Sequence, residues 1–399
     1  MSSIPNHRAQ GLSASAVQTF VDEQTGRNIR QLTDAAKGAR LGYFRITRQL
    51  PDGRLLGGAS HDVGWNLIAI DAESGDVEPL TQKFHPIRVR ESDGKGWMFK
   101  QHDKEDETKG WDLFEAVLPY GEVKHVATIS GDVPGNPEDI TCDGRRVIFR
   151  YTEQDLKSYP IPTTKNKQAI WSYFNRPRRG SMWVYDLEST THEKIYETQD
   201  ICPLHIDASP TDPTLLRFCH DMYDAYGQRT WTIRTDGSDA RKIRPQEYGE
   251  LVTHEFWWPG ADLIGYTYQD RRGDETLDDL PWAEYSPRAT HLGIANRAGE
   301  EVYLSDPMPN YHSHLYRSND GKLVSGEGCQ DASFVFAGEL SMASPRLNMI
   351  PLATIHTPFV PFRGQGVDCN FSVDGKWLIY ADKRVDGDPH QLYAVEVDL

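Results

Sequence analysis

Long apolar runs are missing from this chain of 399 residues. No stretch approaches the roughly 18 consecutive apolar residues that a membrane-spanning helix needs, so a membrane is not expected as a partner. The opening residues 1–19, MSSIPNHRAQGLSASAVQT, have no apolar core of the kind that marks a secretory leader. Cysteine is scarce: Cys142, Cys202, Cys219, Cys329 and Cys369 are scattered, odd in number and without a CxxC pair. That argues against a disulfide framework and a zinc ribbon and favours reduced thiols in a cytoplasmic protein. Positive charge is in deficit, with 43 Lys and Arg against 59 Asp and Glu, a net charge of −16. Such a surface is soluble and repels nucleic acid and long polyanions. An anionic ligand would need a small, locally cationic pocket, which suits a short substrate better than a polymer. Helical periodicity is nearly absent as well, since no long segment carries apolar residues at i, i+3, i+4 and i+7.

What the chain does have is a repeat. Seven units begin near Gly53, Gly94, Gly144, Thr214, Asp262, Gly321 and Gly375. Each has a lead-in, a turn that is most often D-G or P-G, and a short apolar strand such as LLGG, VIFRY, LIGY or LIYA. Two further strands complete each unit. A period of roughly 40 to 55 residues is that of four-stranded propeller blades. The fold class expected is all-β, a seven-bladed β-propeller forming a single domain over 1–399. A pair of β-sandwiches is the rival architecture. The seventh unit ends one strand short at Leu399, and residues 21–34, VDEQTGRNIRQLTD, have the form of the missing outer strand. A segment at about 17–34 is therefore expected to complete the last blade and remove its open edge. Two insertions, at about 153–178 and 270–290, fall after the first strand of a blade and should form loops on one face.

The chemistry is sought where a propeller gathers side chains, at the mouth of its central channel. The short apolar strand is taken as the innermost one, with the lead-in residues at its mouth. His314 and Asp368 stand seven residues before Gly321 and Gly375, and His205 stands seven before Asp212. His254, in the run LVTHEFWWPG, stands six before Gly260. Four adjacent units thus offer His, His, His and Asp at one level, with His312 and Gln365 nearby. Arg229 opens a strand of the fourth unit, and His220 follows its first strand.

Imidazoles with a carboxylate can hold a borderline divalent cation, a neutral histidine can take a proton near neutral pH, and an arginine can pin a carboxylate bidentately. A satisfied structural role is the alternative for each lone histidine, and turn capping for Asp368. Tryptophans 65, 231, 257 and 258 read as packing, with sugar stacking open to one of them. Arg45, His61, His205 and His220 are candidate substrate contacts because they lie near strand ends.

The motifs THEFWWPG, LLRFCHD followed by QRTWTIRTDG, HSHLYRSNDGKL, and the long run from RQLTDAAKG to GDVEPLT resemble those of the oligogalacturonate lyases. These are intracellular seven-bladed propeller enzymes of pectin breakdown. The resemblance implies that His254 is the base, that Arg229 assists, and that a divalent metal, typically manganese, is held partly by His314. The family's remaining ligands lie in a Q-x-x-H-x-H piece, where this chain reads RGQGVDC. Gly366 and Asp368 replace the two histidines, and Arg363 falls at the glutamine. Asp368 and Gln365 are the candidate substitutes, and Arg363 could instead supply the positive charge.

The implied reaction is β-elimination on a short uronate oligosaccharide. The base removes the C5 proton next to a carboxylate, and the oxygen on C4 departs. A sibling lyase cutting next to glucuronate, and a non-catalytic binding module on the same scaffold, are the alternatives. A glycoside hydrolase fits less well, because no clear pair of carboxylates falls on the channel register.

Overall fold

Alternating apolar strands separated by glycine turns fold here into seven antiparallel sheets arranged as a propeller. The computed structural model describes residues 18–42, 49–61, 64–82, 86–102, 110–153, 179–199, 201–220, 227–258, 260, 263–275, 288–308, 312–328, 333–357, 367–385 and 387–399. The expected loop insertions lie mostly outside them. Six blades have four strands in chain order, and the seventh has five. The innermost strands, from blade one to blade seven, are Ala39–Arg40, Arg88–Arg90, Asn136–Ile140, Pro203–Ala208, Glu250–Trp257, His312–Arg317 and Asn370–Phe371.

One sequence expectation is corrected here. The lead-ins are themselves the innermost strands, and the apolar runs LLGG, VIFRY, LIGY and LIYA belong to the second strands, such as Arg146–Glu153 and Leu263–Asp270. The lead-ins were hard to read because polar and bulged residues interrupt their alternation. An innermost strand lining a channel is not apolar on the channel side. The insertions accordingly follow second strands rather than first.

The last blade closes as its missing strand implied. Asn28–Gln31 pairs with the C-terminal strand Gln391–Glu396, placing Ile29 opposite Val395, and Gln18–Val21 adds a further outer strand. The Asp22 carboxylate accepts from the Thr354 amide at 2.9 Å and from its hydroxyl at 3.0 Å, which ties this N-terminal hairpin to blade six.

The core lies between blades. Seven buried apolar clusters each join two neighbours, and together they run once round the ring. Between blades five and six, for example, Phe256, Leu292 and Ile294 pack against Leu315, Tyr316 and Val324. Turns of one design lead out of several inner strands. Thr141, Ser318 and Ser372 donate their hydroxyls to Asp143, Asp320 and Asp374, and each aspartate accepts the amide two residues on. The glycine between them has φ near 70° (Gly144 74°, Gly321 69°, Gly375 74°), a conformation in which a side chain is strained.

Candidate active site

The residues found by counting back from the turns share a backbone conformation. His205, His254, His314 and Asp368 have φ of 48°, 54°, 44° and 46°. Left-handed backbone is uncommon for residues other than glycine and costs on the order of 1 kcal/mol or more at each position. In three of the four blades the cause is a β-bulge, because strand pairing slips between Leu204 and Asp207, between Thr253 and Phe256, and between Ser313 and Tyr316. A bulge re-aims the side chain it carries and is frequent beside active sites.

The bulges bring the side chains together. The His254 and His314 rings lie 4.4 Å apart, and the Ser313 hydroxyl is 3.3 Å from His254 Nδ1. Burial holds the His254 pKa well below the ordinary 6.5, and the nearby charges of His314, Arg229 and His205 act in the same direction. The imidazole is therefore neutral at neutral pH. His314 Nδ1 bonds the buried Glu327 carboxylate at 2.5 Å.

Arg229 is buried and fixed from several sides. Its Nε donates to Glu255 Oε1 at 2.9 Å, and its amide donates to Gln246 at 2.7 Å. The Thr230 hydroxyl donates to the same Glu255 oxygen at 2.7 Å. Arg217, fully buried, lies 3.7 Å from the other Glu255 oxygen and also pairs with Asp207. Glu255 thus neutralises two buried arginines of blade four from the innermost strand of blade five.

Of the other sequence candidates, His220 adjoins Arg229, whose carbonyl accepts from its amide at 2.8 Å, while its side chain faces blade three, Nε2 lying 3.0 Å from the hydroxyl of Tyr196 on that blade's outer strand. There it packs against Phe218 and Trp231, and burial lowers its pKa to about 4. His61 belongs to strand Leu55–His61, and its side chain is outside what is described, as are Arg45, His312's side chain, Arg363 and Gln365. Trp257 and Trp258 pack at blade junctions, as expected.

Sequence reading missed Glu255, Glu327 and Ser313. Glu327 had a signal, a lone carboxylate in the otherwise uncharged strand LVSGEG. Glu255 and Ser313 adjoin motif histidines, but only the bulges reveal what they touch.

A metal can be tested against these residues. His314 and Asp368 offer an imidazole and a carboxylate at one register, and a carboxylate on the far nitrogen is the usual brace of a metal-binding histidine. Their chemistry suits a borderline divalent cation. Among the described residues, no group of three or more His, Cys, Asp or Glu is placed to hold one, so the set would need Gln365 or another donor to be complete.

The fold and this site define a class: a seven-bladed propeller with a neutral histidine and a buried arginine gathered at one end of its channel. The chain is similar to the oligogalacturonate lyases, the family its motifs resemble. The family model described as oligogalacturonate lyase matches residues 152–336, which include His205, Arg229, His254 and His314. The oligogalacturonate lyase of Dickeya dadantii (strain 3937) is 25% identical over 316 residues, covering 78% of this chain and 75% of that one. The oligogalacturonide lyase of Pectobacterium atrosepticum is 27% identical over 319 residues, covering 78% and 74%. Among solved structures, an oligogalacturonate lyase in complex with manganese superposes with a TM-score of 0.70 at 20% identity, covering 96% of each chain. The oligogalacturonate lyase of Vibrio parahaemolyticus gives 0.67 at 20% identity, covering 96% and 97%. At that identity the superpositions establish the fold.

Proposed function

We propose that this chain is a cytoplasmic lyase, acting as one propeller domain, that cleaves short uronate oligosaccharides of the oligogalacturonate type by β-elimination. The observation that carries the reading is a buried, neutral His254 in the field of Arg229, at a backbone conformation that costs stability. The curated relatives are named for the same class of substrate.

The C5 proton of a uronate is weakly acidic, and its removal builds enediolate charge on the carboxylate. Arg229, held through Nε by Glu255, is the cation beside His254 that stabilises this charge as it forms. His254 accepts the proton at Nε2, in the tautomer whose Nδ1–H donates to the Ser313 hydroxyl. The C4 oxygen then leaves with its bonding electrons and a double bond forms between C4 and C5. His205 adjoins the base and serves as a substrate contact. A divalent ion, manganese being the family's, would be held by His314 and Asp368 with Gln365 and would supply further positive charge at the carboxylate.

The test is the ultraviolet absorbance of the unsaturated product, with digalacturonate and glucuronate-ended oligosaccharides each offered with manganese or with chelator. A rise on digalacturonate that chelator removes supports the reading in full. A rise confined to glucuronides moves the substrate to a sibling uronate, which the Gly366 and Asp368 replacements would explain. Silence with every uronide overturns the enzyme reading in favour of a binding propeller.

A further inference from the structure

The channel has a second end, and it is also built. The inner strands of blades two to six finish around a cavity of about 350 Å³, lined among others by Arg88, Arg90, Glu91, Asp139, Trp257 and Arg317. Blade polarity sets this apart from the histidine site. Arg229 and His220 lie at the end where the inner strand of blade four begins, whereas Asp207 and Arg317 lie where inner strands run into their turns. The same strands therefore carry the His254 group at one level and this cavity at another.

Most charges around the cavity are already matched. Arg88 grips both Asp139 oxygens at 2.7 and 2.6 Å and the Ala208 carbonyl at 2.7 Å. Arg90 pairs with Asp93 at 2.6 Å, and Asp207 pairs with Arg217. Arg317 is the exception. It is 7% exposed, and its guanidinium has no hydrogen bond or ion pair among the described residues. Its Nε is a buried donor with no partner. Its guanidinium lies over the neighbouring Tyr316 ring, at 4.8 Å from the centroid. Burying a cation without a partner is costly, and a carboxylate is the anion its planar fork matches best.

The rest of the lining selects within carboxylates. Glu91, which follows the inner strand of blade two and so faces blade six across the cavity, is an exposed carboxylate coupled electrostatically to Arg317 without touching it. It disfavours a multiply charged anion and accepts hydroxyl donors. Trp257 is fixed by a 3.4 Å bond from its indole nitrogen to the Asp207 carbonyl, and with Tyr316 it offers ring surface. The volume lies at the small end of ligand cavities.

We propose that this opposite mouth is a second binding site for a small, singly charged hydroxy-carboxylate of sugar-acid size, with its carboxylate on Arg317 and its hydroxyls on Glu91 and Ser92. This site does not depend on the elimination chemistry, and its test reads binding rather than turnover.

The experiment is calorimetric titration of the full chain with galacturonate, in an Arg229→Ala background that disables the histidine end. Galactose and acetate serve as the neutral and the unhydroxylated probes. One galacturonate should bind, more tightly than acetate, and galactose should not bind. Arg317→Gln should weaken binding about 10- to 100-fold, the share of a charge-assisted contact. Glu91→Gln, which removes a competing negative charge at an exposed position, should strengthen it several-fold. That variant decides the matter should Arg317→Gln fail to fold. Absence of galacturonate binding, or binding that neither substitution changes, overturns the proposal.

Discussion

At the scale of single residues, His254, the base of the proposed reaction, has its affinity for protons set by its surroundings. Burial, with the electrostatic influence of His314, Arg229 and His205 in the same direction, holds its pKa well below 6.5 in the free protein. The acid limb of kcat/KM, which reports the free protein, should therefore break well below pH 6.5. A bound uronate brings a negative charge that favours the imidazolium, so the acid limb of kcat should lie at higher pH than that of kcat/KM. Coinciding limbs near pH 6.5 would show that His254 is not the titrating base. Replacing His254 with Gln should cut kcat by about 10²–10⁴-fold, the ordinary share of general-base catalysis, with KM changed little. His220 predicts a stability effect. Its folded pKa of about 4 lies below the unfolded 6.5, so its contribution is complete above pH 6.5 and is lost as pH falls toward 4. The loss amounts to roughly 3 kcal/mol at most. Denaturant titrations of wild type and His220→Phe between pH 7 and 4 should show a shallower decline in the variant.

At the scale of the strand, the bulge is the device that makes the site. It sets the histidines of blades four, five and six at φ near 50° and so trades stability for placement. His254→Gly should abolish turnover while leaving the thermal midpoint unchanged or raised, because glycine carries no penalty at that φ. A fall of several degrees would show that the ring supports the fold instead. Glu255 makes the opposite prediction. It lies between Arg217 and Arg229, so Glu255→Gln leaves buried cations poorly compensated. It should cost about 3–5 kcal/mol and lower kcat through Arg229. The register of the site was legible in the sequence because counting back from the turns is an accurate ruler when every blade is built alike. It found the three bulge positions, and Asp368 with the same left-handed backbone, without any knowledge of the bulges. The strand identities were less legible, since the polar inner strands do not alternate cleanly. Glu255, Ser313 and the Arg317 cavity could not be read at all, because their meaning depends on residues contributed by other blades.

At the scale of the molecule, seven apolar seams do the work that one central core does elsewhere. The repeat count and the displaced N-terminal strand announced this arrangement, because a ring of blades is the architecture in which a chain's first strand completes its last sheet. Ile29 is fully buried in the seam of blades six and seven, whereas Val21 on the added outer strand is 59% exposed. Ile29→Ala should cost about 2–5 kcal/mol, and Val21→Ala no more than about 0.5. Equal losses in thermal unfolding would mean that the outermost strand shares the closure.

That closure also governs the order of events during synthesis. Ile29 waits for Val395, and the blade-one wall of Ala39, Leu55 and Ile68 waits for Trp377, Ile379 and Leu392. At about 5–20 residues per second, an apolar wall and a strand edge stay uncovered on the ribosome for roughly 20 to 70 s. Chaperone supply during translation should therefore limit the yield of this protein more than the final stability of its ring does.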